Sequence, residues 1–248
     1  MKASIILEEK NKVNNNLHDS NSIRREVKDN IIEQSTARNM HQCPNMVRWT
    51  SWKPKSPFAP MWDVPLWQDT IPDFFADKIL SDVKSFESQL GMWQTYNVFS
   101  WYRDYPFVNK LRMMLKTMYI TYMEELGLEI PLELYIRGWF NIMEPGELLS
   151  LHSHSFHENT YLSGNLLLND SKVSTEYVIP NYSTYGGNYL APSHKGSLML
   201  FPSWVEHFVP IVDEKRYCLA FDFYTGEAME YLNDNYTEFD SMLLSVRC

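Results

Sequence analysis

A chain of 248 residues with 44% hydrophobic and 21% charged side chains can bury the core of one ordinary domain and still carry an extension. The formal net charge of -9 argues against a general phosphate-backbone binder, and no run approaches the roughly 18 to 20 apolar residues of a membrane span. Ile5-Ile6-Leu7 is followed at once by Glu8, Glu9 and Lys10, so no signal peptide is expected; the widely spaced Cys43, Cys218 and Cys248 form neither a disulfide framework nor a zinc knuckle, and a cytoplasmic location is the expectation.

The first aromatic residue is Trp49, and this break divides the chain. Residues 1–48 are polar, with stretches such as Lys10-Asn11-Lys12 and Asn14-Asn15-Asn16, and read as a flexible arm; Ile23, Val27 and Ile31 give it a weak helical period that a docking partner could stabilise. Residues 49–70, with Pro54, Pro57, Pro60 and Pro65 among tryptophans, have no regular period and read as an extended strap. The domain proper is expected over 71–248. Pro72-Asp73 opens a first helix whose apolar residues recur at Phe75, Ile79, Val83, Phe86 and Leu90, with Gly91 as its stop. A second helix runs from about Val108 through Leu111, Leu115, Met118 and Tyr122 to Leu126 and ends at Gly127.

From Leu134 the period changes to 2. Leu134 to Ile142, Tyr161 to Leu168, Thr175 to Ile179, Ser197 to Phe201 and Arg216 to Tyr224 read as strands. Helices followed by strands predict an α+β chain whose strands form a sandwich or jelly roll, with the N-terminal helices packed on one sheet.

Three histidines fall within Leu151-His152-Ser153-His154-Ser155-Phe156-His157. On an extended strand residues i and i+2 share a face, so His152 and His154 can aim at one atom, a common start to a transition-metal site. His207 lies in the apolar stretch Phe201 to Pro210, where a buried imidazole must be hydrogen-bonded or coordinated, and is the candidate third ligand. Nine residues on, Arg216 opens a strand with Tyr217, Leu219, Phe221 and Phe223 on one side and Arg216, Cys218, Ala220 and Asp222 on the other. A guanidinium beside that small, polar face suits a small carboxylate held by two hydrogen bonds; the plainer alternative is a surface pair with Asp222, Asp213 or Glu214.

Together these residues resemble the Fe(II)- and 2-oxoglutarate-dependent oxygenases. More narrowly, Trp139-Phe140-Asn141-Ile142, the His-rich segment leading into Tyr161-Leu162-Ser163-Gly164, and Gly196 to Trp204 followed by His207 look like an oxygenase family carried by bacteria and tailed phages; the resemblance covers roughly positions 134 to 224. It implies a double-stranded β-helix of the jelly-roll or cupin-like kind. It also implies Fe(II) held by His152, His154 and His207, 2-oxoglutarate gripped at its far carboxylate by Arg216, and Asn141 and Ser163 as further contacts on the cofactor side.

Dioxygen and 2-oxoglutarate would be the co-substrates of a hydroxylation, with a peptide or protein side chain preferred as substrate over nucleic acid. Many of these oxygenases read His-x-Asp or His-x-Glu where this chain reads His152-Ser153-His154, which raises the charge of the metal site by one unit; Glu144, Glu147 and Glu158 are the acids within sequence reach. His157 is the alternative to His154. Two other readings stay open: a three-histidine, cupin-like metalloenzyme without 2-oxoglutarate, and a non-catalytic jelly-roll module that docks through its arm and strap.

Overall fold

The apolar stripes on the helices and the alternating strands meet in one core in the computed structural model, which describes residues 45–51, 57–58, 61–90, 96–155, 161–178, 188–235 and 242–244. The chain separates into two units, 1–42 with 50–61, and 43–49 with 62–248. The described histidines, Arg216 and the strands that carry them all lie in the second unit. The expected arm, up to residue 44, lies outside the described residues, as do Gly91 and His157.

The elements are β1 (Met46–Thr50), β2 (Asp63–Thr70), α1 (Asp73–Phe86), α2 (Pro106–Leu126), β3 (Leu134–Met143), β4 (Leu149–His152), β5 (Leu162–Leu167), β6 (Glu176–Val178), β7 (Tyr189–Leu190), β8 (Ser197–Pro202), β9 (Glu206–Val209), β10 (Arg216–Thr225), α3 (Gly226–Asn235) and β11 (Met242–Leu243). Among the described residues, seven strands form one sheet in the order β1-β2-β8-β5-β10-β3-β11, and four form a second in the order β4-β9-β6-β7. All pairings whose register is resolved are antiparallel. No described helix is long and apolar enough to cross a membrane.

Both helices form where their stripes predict. On α1, Phe75, Ile79, Val83 and Phe86 are buried, and the helix tightens into a 3-10 turn at Glu87–Gln89. On α2, Pro106 sits in the first turn, where its missing N–H costs nothing, and Gly127 takes a left-handed φ of 64°. The Gly127 and Leu128 amides then close the helix end on the carbonyls of Glu124 and Met123.

The buried stripes cover one face of the large sheet. Ile136 and Phe140 of β3, Leu162 and Leu166 of β5, Leu198 and Leu200 of β8, and Leu219, Phe221 and Phe223 of β10 share a core cluster with them. Each such side chain contributes about 1.5–3 kcal/mol by leaving water. The expected packing of the N-terminal helices on one sheet is therefore found. Gly164 is needed for this packing: a Cβ there would meet the Phe221 ring and lie 2.7 Å from the Met199 carbonyl oxygen.

Both ends of the expected strap are strands, and residues 52–56 and 59–60 between them lie outside the described residues. Met46–Thr50 and Asp63–Thr70 belong to the large sheet, with Trp67 to Thr70 registered against Leu200 to Ser197. Its prolines hid the alternation, although Val64 and Leu66 are buried in it. The same finding moves the boundary of the arm, since Met46 to Arg48 are already strand. The helix α3 was not expected: it opens on Gly226 and buries only Ala228, Met229 and Leu232, too short a stripe to declare itself.

Candidate functional site

The second face of β10 turns toward the small sheet. Cross-strand pairing sets Arg216, Cys218, Ala220 and Asp222 beside Met143, Asn141, Trp139 and Arg137 of β3, and sets Cys218, Ala220 and Asp222 beside Leu167, Asn165 and Ser163 of β5. Side chains directly opposite share a face, so these line the space between the sheets. Hydrogen bonds that cross it include Asn165 Nδ2 to the Tyr177 hydroxyl at 2.7 Å and Arg216 Nη2 to Thr175 Oγ1 at 3.0 Å.

The histidines enter from the small sheet. β9 sets His207 opposite His152 of β4 on one side and opposite Tyr177 of β6 on the other. β4 changes register between Leu149 and His152 and ends there, so His154 is not on a continuous ladder; its amide is held instead by the Ser203 carbonyl at 2.9 Å. The three rings still converge. Their centroids are 4.3 Å apart for His152 and His207, 5.2 Å for His154 and His207, and 5.4 Å for His152 and His154. One potential ligand atom from each lies within 4.8 Å of the others.

The hydrogen bonds fix which nitrogen each ring offers. His152 Nδ1 lies 2.8 Å from the Ser150 carbonyl and His207 Nδ1 lies 3.2 Å from the Val205 carbonyl. A carbonyl only accepts, so each Nδ1 carries the hydrogen and donates. His154 Nδ1 donates in the same way to Asp222 Oδ1 at 2.6 Å. Each neutral ring therefore keeps an unprotonated Nε2, the form that coordinates a metal.

Burial first, then the neighbouring His154 and His152, push the His207 pKa down to about 3, so it is neutral across the ordinary pH range. Burial lowers that of His152 as well. Around His154 burial also opposes charge, but the Asp222 carboxylate outweighs it and the pKa is raised. Burial would raise the Asp222 carboxyl in turn; attraction to His154 and hydrogen bonds from His154, Ser163 and Tyr224 hold it below the usual range.

Asp222 is 4% exposed and accepts from Ser163 Oγ at 2.6 Å and from the Tyr224 hydroxyl at 2.9 Å, besides His154. Ser163 Oγ also lies 2.7 Å from Ser203 Oγ and 3.2 Å from His154 Nδ1. The hydroxyl expected on the cofactor side is thus engaged by Asp222, Ser203 and His154, and the serine acts on the histidine's surroundings. The compensating acids expected from sequence are elsewhere. Glu144 pairs with Lys215, the Glu147 carboxylate accepts from the Glu144 amide, and Glu158 lies outside the described residues. Asp222, weighed in the sequence only as a surface partner for Arg216, is the acid behind His154. An aspartate inside a strand that is otherwise apolar and aromatic was the available signal.

Arg216 is 3% exposed. No carboxylate pairs with it among the described residues: Asp213 holds Lys172, and Asp222 holds His154. Its Nε is buried, with no hydrogen-bond partner among the described residues. Thr175, which it does contact, lies two positions before Tyr177 at the start of β6, so guanidinium and histidines border one space. Asn141 is half-buried beside Cys218 on the same face. His194 is exposed, and Tyr189 packs on Tyr177 while donating to Gln68. Tyr182 and Tyr185 lie outside the described residues.

No family model and no curated protein matches the sequence. Solved structures do share the fold. A prolyl-4-hydroxylase from Pseudomonas putida aligns at TM-score 0.51 and 16% identity, over 64% of this chain and 88% of its own. The non-heme alpha ketoglutarate dependent epimerase SnoN, from nogalamycin biosynthesis, aligns at 0.51 and 11% over 71% and 87%. The carbocyclase SnoK, described in the same terms, aligns at 0.50 and 9% over 64% and 79%.

Proposed function

We propose that this chain is an Fe(II)- and 2-oxoglutarate-dependent oxygenase on a double-stranded β-helix, with His152, His154 and His207 holding the metal and Arg216 anchoring the co-substrate. One juxtaposition carries the reading: three imidazoles that each bring a potential ligand nitrogen within 4.8 Å of the others, and, bordering the same space, a buried arginine whose Nε has no partner among the described residues. Imidazole nitrogens suit iron as well as zinc, copper and nickel. A buried guanidinium without a carboxylate leaves a charge uncompensated, a costly arrangement that an incoming dicarboxylate would relieve.

In this reading the metal, with 2-oxoglutarate and dioxygen, would supply the oxidative chemistry, hydroxylation of a substrate C–H bond coupled to oxidative decarboxylation of the co-substrate to succinate and carbon dioxide. The protein's own tasks are to bind and to orient. Arg216 Nη2 is tied to Thr175, which fixes the plane of the guanidinium, and its Nε would be free to donate to the far carboxylate of the co-substrate. Asn141, on the neighbouring strand, borders the same space as a polar contact. Tyr177, held by Asn165 and packed 5.7 Å from the His207 ring, closes one wall with Phe201 and keeps water from it.

The substrate we favour is a peptide or protein side chain. It is supported by the acidic balance, which disfavours nucleic acid, and by a shared fold with a prolyl-4-hydroxylase. Hydroxylation is the proposed outcome, although SnoN and SnoK are an epimerase and a carbocyclase on the same fold.

The test is anaerobic addition of Fe(II) and then 2-oxoglutarate to the apo-protein, following the visible charge-transfer band of the chelate. The wild type should show the band, and His207→Ala and Arg216→Ala should each lose it. Iron bound without a band would favour the three-histidine metalloenzyme, and neither iron nor band the binding module.

A further inference from the structure

We infer that Asp222 is a positioning residue: acting through His154, it supplies the negative charge that His152-Ser153-His154 does not place on the metal itself. This rests on the proposal that the three histidines hold a metal. With three neutral imidazoles a divalent ion keeps its full double charge, one unit more than with a carboxylate in the set. The missing unit is not lost from the molecule. Asp222 Oδ1 stands 2.6 Å behind His154 Nδ1, on the ring's far side from the nitrogen offered to the metal.

A carboxylate in that place does two things that a neutral acceptor does less well. It fixes the proton on Nδ1, so that Nε2 stays open, and it pushes electron density toward Nε2. The rest of the network aims the carboxylate. Ser163 Oγ donates to the same oxygen at 2.6 Å and the Tyr224 hydroxyl to the other at 2.9 Å. Those donors come from β5 and β10, so the carboxylate stands on the large sheet, whereas His154 follows the end of β4. Among the described residues, the other two histidines have backbone carbonyls behind them, Ser150 for His152 and Val205 for His207. The charge is therefore assigned to one ligand, the one whose position in other oxygenases is filled by Asp or Glu.

Calorimetric titration of the full-length apo-protein with Co(II) tests this, with Asp222→Asn, Ser163→Ala and His207→Ala alongside. Asp222→Asn should weaken Co(II) binding about 10–100-fold, the range seen when the partner of a metal-bound histidine is removed. Ser163→Ala, which spares the charge, should weaken it less. Equal binding by Asp222→Asn and wild type, or no greater loss than in Ser163→Ala, overturns the assignment and leaves the metal site standing. Wild type that ignores Co(II), or binds it as well after His207→Ala, overturns the metal site itself. If Asp222→Asn does not fold, nitrogen NMR of wild-type apo-protein decides, at a pH where the ring is neutral. His154 protonated on Nδ1 supports the role, and protonated on Nε2 overturns it.

Discussion

Tyr217 donates its hydroxyl to Glu87 across 2.9 Å, tying the 3-10 turn after α1 to β10 one residue beyond Arg216. Lys215 reaches the other oxygen of the same carboxylate. The two residues that flank the arginine are thus both fastened to the helix layer, while the arginine itself points the opposite way.

This clamp predicts a pH dependence. The Lys215 hydrogen bond, first, holds the Glu87 carboxyl below its usual pKa. A carboxyl depressed in the folded state stabilises fully above its unfolded pKa, about 4.3, and that contribution is lost as pH falls through the folded value. Glu87→Gln should therefore melt below wild type at neutral pH, with the gap closing in acid. The group is partly exposed, so the neutral-pH difference should stay within about 1 kcal/mol. Melting curves between pH 3 and 7 would show it; a gap that widens in acid would refute the assignment.

Arg216→Lys keeps the charge but not the planar fork. A lysine ammonium cannot both keep the Thr175 contact and stand where the unpartnered Nε of Arg216 would meet a carboxylate. Losing a hydrogen bond to a charged group, about 1.5–3 kcal/mol, should weaken 2-oxoglutarate binding roughly 10- to 150-fold. Metal binding should be unchanged. Titrating the metal-loaded variant with 2-oxoglutarate separates the two, and wild-type affinity in the lysine variant would remove Arg216 from the co-substrate site.

β10 shows best what the sequence makes legible. Its alternation assigned both faces, and the outer residues Leu219, Phe221 and Phe223 do pack under the helices. The histidine triplet was visible as local density, and His207 as a polar residue in an apolar run. The Asp222 contact was not visible, because it joins positions 68 residues apart and depends on a sheet pairing that no local period encodes. β9 was missed for another reason: its four residues alternate too briefly to stand out from the loops around them.

Gly164→Ala should destabilise the domain. The added methyl would press on the Phe221 ring and the Met199 carbonyl, and only the ring can yield. Overpacking of this kind costs about 1–3 kcal/mol. Urea unfolding would measure it, and a midpoint equal to wild type would show that β5 and β8 can part without penalty.

Leu115→Ala tests the cover over the large sheet. The side chain is fully buried on α2, in the cluster that contains Leu219 and Phe221. Truncation should cost about 2–5 kcal/mol in urea unfolding, depending on how far the sheet and helix close over the gap. A loss below about 1 kcal/mol, as at a surface position, would mean that the helix is not held against the sheet.

Arg216 and Asp222 stand on one face of a single interior strand, six positions and about 20 Å apart. β10 therefore works as a ruler with two marks. A one-residue insertion between them would turn one mark over to the helix side and bring an aromatic ring round to replace it. Site geometry and core packing are written on alternate letters of the same strand, so neither can be reframed without the other. Changes of length that spare both are confined to the loops beyond the ends of this strand.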